Sequence, residues 1–245
     1  MAEVSFDFTG NNYLVTGASS GIGKQVVLDL AASGAKVLAL ARREEELKKV
    51  QSEYPDNISI AVADVCDKNA VKEAVLSFVA ANGFLNGFVH AAGVYQFSPV
   101  KVFDKTQFSQ MMDINFWSGF DIIQILSKKK YSAEGASFVM FSSVAAVEGE
   151  KGLLAYSATK AAVSSAVRSV AKEICGRCQR INSIMPGRVE TPMTESYQNV
   201  MVDSRSLLGK SYPSDISKPV LFLLSDGAKW ITGTDFIVDG GYLVN

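Results

Sequence analysis

The segment Thr16-Gly-Ala-Ser-Ser-Gly-Ile-Gly23 constrains this chain more than any other. It joins a short apolar run, residues 12–16, to a segment, residues 22–32, in which Val26, Val27 and Leu30 fall on one helical face. Glycines at 17, 21 and 23 permit a tight turn and a close approach of main chain to a ligand. The free N–H groups and dipole of the following helix face the same gap, which suits a pyrophosphate. Such a loop is weak evidence alone and much stronger between the first strand and first helix of an alternating chain. Gly17, Ser19, Ser20, Gly21, Ile22 and Gly23 are therefore candidates for binding a dinucleotide.

The alternation continues to the end. Strands are expected at 36–40, 58–62, 87–90, 137–141, 180–184 and 235–238, and helices at 44–52, 68–81, 106–129, 156–176 and 215–225. Apolar strands interleaved with helices predict a parallel seven-stranded sheet with helices on both faces, a doubly wound α/β fold with right-handed crossovers. With 245 residues, no repeat and no Pro/Gly-rich linker, the reading is one domain spanning 1–245.

Net charge is −1, so no bulk field recruits nucleic acid or an anionic membrane. The N-terminal residues lack the basic and apolar regions of a signal peptide, and no apolar run of about 18 residues spans a bilayer. Three cysteines, Cys66, Cys175 and Cys178, make no disulfide framework, and Cys175-Gly-Arg-Cys178 reads as two reduced thiols. A reducing cytoplasmic location is expected, with no metal.

Tyr156 and Lys160 are four residues apart and share one face of their helix. An ammonium beside a phenol favours phenolate and lowers the phenol pKa, which makes an acid/base pair. At the end of the second strand, where an acidic residue would select NAD, the chain has Ala41 followed by Arg42 and Arg43. A guanidinium grips a 2′-phosphate that a carboxylate would repel, so NADP(H) is the expected cofactor. Arg42 is the expected clamp, with Ser20 contributing a hydroxyl.

Thr-Gly-x-x-x-Gly-x-Gly with a downstream Tyr-x-x-x-Lys resembles the short-chain dehydrogenase/reductase family, from about residue 12 to 242. The resemblance implies a single Rossmann-type domain. It also assigns Asp64 and Val65 to the adenine, and His90-Ala91-Ala92-Gly93 stands where the family has Asn-Asn-Ala-Gly. His90 is read as structural, and Gly93 as letting the cofactor ribose lie close. Ser143, thirteen residues before Tyr156, matches the catalytic serine, and Asn115 matches the active-site asparagine. Pro186, Gly187, Val189 and Thr191 match the segment beside the nicotinamide, and 231–233 and 238–241 match the C-terminal signature.

By resemblance the reaction is carbonyl reduction or its reverse. Tyr156 is the proton donor, Ser143 holds the substrate oxygen, Lys160 tunes Tyr156 and holds ribose hydroxyls, and Asn115 holds a water linking Lys160 to solvent. Tyr95, Val144 and Arg188 are candidate substrate contacts, and 190–211 is a candidate lid. The plan is similar to the 3-oxoacyl-[acyl-carrier-protein] reductase branch. An acidic carrier would then dock on Lys128–Lys130, Arg168 and Arg177. A small ketone, sugar or polyol is the alternative substrate, and a non-catalytic NADP(H)-sensing protein the alternative class. Family members pair their long helices across subunits, so a homotetramer or homodimer is expected.

Overall fold

The computed structural model describes residues 4–195 and 205–245. Seven parallel strands lie in the order β3-β2-β1-β4-β5-β6-β7. They are β1 Asn12–Thr16, β2 Lys36–Ala41, β3 Ile58–Val62, β4 Leu85–His90, β5 Ser132–Phe141, β6 Arg180–Pro186 and β7 Asp235–Val238. The helices are α1 Gly21–Ala32, α2 Glu44–Glu53, α3 Lys68–Asn82, α4 Lys105–Met112, α5 Ser118–Leu126, α6 Leu154–Ile174, α7 Pro192–Glu195 and α8 Pro213–Leu224. Among the described residues no helix is long and apolar enough to cross a membrane.

The two-residue period of the strands sorts the core into two layers. Tyr13, Val15, Val37 and Ala39 join one layer with Val26 and Leu30 of α1, Leu47 of α2 and Val220 of α8. Leu14, Leu38 and Leu40 join the other with Val75 of α3, Ile122 of α5 and Val163 of α6. Both faces of the sheet are thus covered, as uninterrupted apolar strands require.

The expected helix over 106–129 differs from the one found. A π-helical turn, Asp113–Trp117, separates α4 from α5 and carries Asn115. Strand β5 begins five residues ahead of the expected 137, and its pairing with β4 shifts register between Leu85 and Gly87. Glu134 and Gly135, both exposed, interrupt the apolar pattern there. Helix α8 starts at Pro213, two residues ahead of the expected 215, because a first-turn proline has no N–H to lose.

Strand order reverses between β1 and β4, so the loops leaving their carboxyl ends diverge and open a crevice. The functional candidates gather there.

Candidate active site

A cleft of about 500 Å³ runs along this crevice. Its floor is the β1–α1 turn, pressed on the loop after β4. A Cβ at Gly17 (φ +66°) would stand 2.7 Å from the Ala91 carbonyl and the Ala92 nitrogen, so only glycine fits. Ser20 occupies the N-cap of α1 without a side-chain capping bond, and no acid lies in the first turn. The helix therefore presents its first N–H groups and positive dipole end uncancelled. That donor set, with glycine main chain at close range, fits a pyrophosphate.

Arg42 and Arg43 both line the cleft, and Arg43 is the one that reaches the glycine-rich turn. Its Nη2 donates to Ser19 Oγ (2.9 Å) and Ser20 Oγ (2.7 Å), and its Nε to Ser19 Oγ (3.2 Å). Arg42 turns to Asp64, 3.7 Å away across the ends of β2 and β3, and both groups are largely solvated. Sequence order cannot distinguish two adjacent arginines. The direction of each side chain at the strand end does.

Helix α6 begins at Leu154, two residues before the expected start, and brings Tyr156 and Lys160 to the cleft. Ser143, just after β5, lines the cleft beside Tyr156, where its hydroxyl lowers the phenol pKa, and accepts from Ala145 N (3.2 Å). Ser142 faces away: its hydroxyl donates to Lys160 O (3.1 Å) and shares a 2.8 Å bond with Ser164. Lys160 is buried, donates to Phe141 O (2.8 Å), and lies 5.7 Å from the Tyr156 ring centre.

The tuning expected of Lys160 is not what sets the phenol here. Burial pushes the Tyr156 pKa up to about 12, against a lowering contribution from the Ser143 bond. Burial pushes Lys160 down to about 8. Desolvation outweighs the ammonium, which is aimed at a carbonyl instead. At neutral pH the pair is a neutral phenol, able to donate a proton, beside an ammonium.

Asn115 is buried, and its amide spans two elements. Oδ1 accepts from Val94 N (2.7 Å), while Nδ2 donates to Val94 O (2.9 Å) and Thr159 Oγ1 (3.2 Å). It therefore ties the loop after β4 to the first turns of α6. Oδ1 keeps a second lone pair, on the side of Gly93 that Lys160 Nζ also faces.

Asp64, Val65, Ala91, Ala92, Gly93, Pro186, Gly187, Val189 and Thr191 all line the same cleft, as expected. Pro192, Met193 and Thr194 of the expected lid segment line it as well, and so does Ile114, which sequence reasoning did not mark. A second hollow of about 160 Å³ adjoins Ser143 and Tyr156, and Tyr95, Val144 and Arg188 all face it. So do Phe97, Leu153 and the unmarked Glu150 and Tyr242. The Tyr95 ring meets Tyr156 edge-on at 5.1 Å. Tyr242 directly follows the 238–241 signature, the one signal that pointed near it; its hydroxyl donates to Glu150 Oε1 (2.7 Å) under the Arg205 guanidinium.

The two ends of the expected lid are pinned together: Val189 bridges Ser211, and Glu190 N donates to Ser211 O (2.9 Å). Residues 196–204 lie outside the described residues. Of the expected basic docking patch, Lys128–Lys130 are exposed and Arg177 lies beside them. Arg177 is spent on the carbonyls of Ser127 (2.9 Å) and Ser132 (2.7 Å), and Arg168 pairs with Asp235 at 3.1 Å. No group of metal-ligating residues occurs among the described residues, and the three cysteines are free and exposed.

The family model described as enoyl-(acyl carrier protein) reductase matches residues 17–243. A 3-oxoacyl-[acyl-carrier-protein] reductase of Thermotoga maritima is 31% identical over 242 residues, 96% of this chain and 98% of the relative. A 3-alpha-(or 20-beta)-hydroxysteroid dehydrogenase of Mycobacterium bovis is 32% identical, covering 95% of this chain and 89% of its own length. An L-xylulose reductase of Caenorhabditis elegans is 30% identical over 98% of this chain and 99% of the relative. In three dimensions, a glucose/ribitol-type short-chain dehydrogenase/reductase from Brucella melitensis superposes with a TM-score of 0.92 at 27% identity, covering 98% of this chain and 99% of that one.

Proposed function

The chain belongs to the short-chain dehydrogenase/reductase family, oxidoreductases that work with a nicotinamide cofactor, and on that premise we propose that it is an NADP(H)-dependent enzyme interconverting a carbonyl and a secondary alcohol. The observation that carries the reading is the meeting of Ser143, Tyr156 and Lys160 with the uncapped glycine-rich turn in one cleft. Arg43 with the Ser19 and Ser20 hydroxyls favours the 2′-phosphorylated cofactor, and Ala41 offers no carboxylate to repel it.

When bound, the nicotinamide exchanges a hydride with the carbonyl carbon. Charge then grows on the substrate oxygen. Tyr156, protonated at neutral pH, donates to that oxygen, and Ser143 Oγ, beside the phenol, holds it in place. Lys160 supplies positive charge behind the phenol as the proton leaves, and Asn115 keeps α6 and the loop after β4 in register.

The leading substrate is a 3-oxoacyl thioester, supported by the near full-length 3-oxoacyl reductase relative. The small size of the second hollow favours a second reading: a small ketone, sugar or polyol. The reading places the reaction in the cytoplasm and in a homotetramer or homodimer. The test is oxidation of NADPH against a panel of acyl thioesters, ketones and sugars, run in parallel with NADH. Turnover selective for one class names the substrate. Tight NADPH binding with no turnover of any member would replace the enzyme with a cofactor sensor.

A further inference from the structure

His90 stands where the family has asparagine, and it does more in this chain than fill a strand end. It closes β4, pairs with Thr16 in the register of β1, and is almost fully buried. Its Nδ1 is 2.9 Å from Thr16 Oγ1, and that oxygen accepts from Ala92 N (3.3 Å). The Ile114 carbonyl beside Nε2 can only accept, so in the neutral ring Nδ1 is the acceptor and Thr16 Oγ1 donates to it. Nε2 then carries the hydrogen and donates to Ile114 O (3.2 Å), which Ser118 Oγ also reaches at 2.8 Å. Ser118 Oγ itself lies 3.3 Å from Nε2. This donor order requires a neutral ring, and burial holds the His90 pKa down at about 4.

Ile114 belongs to the π-turn, one residue before Asn115. A π-turn shifts the backbone bonds from i+4 to i+5, so a carbonyl at the shift takes side-chain partners. His90 and Ser118 supply them to Ile114. Asn115, held at that point, clips Val94 through both its amide atoms and reaches Thr159, whose hydroxyl donates to Tyr156 O (2.8 Å). The fit is tight on the helix side: a Cβ at Gly119 would stand 2.8 Å from His90 Cδ2. A continuous path therefore runs from the cofactor turn, through Thr16 and His90, to the π-turn, and on through Asn115 to the helix bearing Tyr156.

We propose that His90 is a positioning residue for the reaction, fixing the π-turn so that Asn115 holds the loop after β4 against the start of α6. The proposal rests on the oxidoreductase reading above, but one arm of its test does not. His90→Leu removes both ring hydrogen bonds. His90→Gln keeps a donor that reaches toward Ile114 O. The expected result for His90→Leu is a fall in kcat of about tenfold or more with NADPH affinity within about threefold of wild type, since a misplacement near 1 Å costs that much. His90→Gln is expected to recover most of the loss. Hydrogen exchange read at Val94 gives the activity-independent arm: its amide, which donates to Asn115, is expected to exchange about tenfold faster in His90→Leu while the β1 and β4 amides keep their rates.

Unchanged kcat and unchanged Val94 exchange in His90→Leu overturn the proposal. So does an equal loss in the Leu and Gln variants that tracks their thermal stability, which makes His90 a packing residue only. If His90→Leu does not fold, Thr16→Val breaks the same path from the other side and carries the same two readouts. A wild type that turns over no carbonyl rejects the oxidoreductase reading, and Val94 exchange still decides for or against His90.

Discussion

Tyr156 and Lys160 hold opposite positions on the proton scale, and each gives a measurable consequence. The phenol, raised by burial, is protonated across the physiological range. Tyr156→Phe removes the donor without altering the cleft, so turnover is expected to fall by about 10²–10⁴-fold while NADPH affinity stays within about threefold. Fluorescence titration beside steady-state rates checks both. Lys160 has its folded pKa lowered from 10.5 to about 8. Between those values the unfolded chain holds a proton that the folded chain has released, so this group's contribution to stability rises with pH there and is flat below about 8. Relative to Lys160→Met, the wild type is expected to gain about 1.4 kcal/mol per pH unit within that window. Urea unfolding of both proteins at pH 7.5 and 9.5 measures it, and the difference cancels the other titrating groups.

At the scale of elements, the π-turn between α4 and α5 brings helix and strand into unusually close contact. A methyl at Gly119 would meet Met140 Cε at 2.5 Å as well as the His90 ring. The methionine can move and the hydrogen-bonded ring cannot, so Gly119→Ala is expected to destabilise the fold by about 1–3 kcal/mol, as overpacking does. A lowered urea midpoint with an unchanged slope is the signature. The same region marks the limit of what the sequence makes legible. Residues 106–129 carry a helical apolar pattern that a π-turn does not interrupt, because one extra residue shifts the pattern by less than a turn. Asn115 was marked by resemblance, but its grip on Val94 follows only from the fold. Strand β5 was foreshortened because Glu134 and Gly135 hide its first half. Strands, phosphate turn and the Ser143–Tyr156–Lys160 set were legible since each depends on local spacing. The reach of Arg43 to the glycine-rich turn and the hollow's Tyr242 and Glu150 were not, since they depend on side-chain direction and on contacts across 92 residues.

For the whole molecule, apolar side chains remain exposed at several places. Trp117, Val100 and Val102 lie beside the α4–α5 region, and Leu154 at the start of α6. Trp230 is 96% exposed ahead of β7. Pairing of subunits would cover such side chains. A homotetramer, or at the least a homodimer, is the expected species, and multi-angle light scattering at micromolar concentration reads it directly. A mass of 26.4 kDa, that of one chain, would reject both.

Helix α1 begins without a side-chain cap. Most helices satisfy their leading amides from within the chain; this one leaves that task to whatever anion enters the cleft, so cofactor binding and folding are thermodynamically linked. By mass action, a ligand at a hundred times its dissociation constant adds roughly 2.7 kcal/mol to the folded state. For a chain of this length that is a melting-point rise of roughly 5–11 °C. With Arg43 as the clamp, NADPH is expected to raise the melting point more than NADH at equal concentration, and a calorimetric scan compares them without any substrate. A phosphate bound there would in this sense be the missing cap of the first helix.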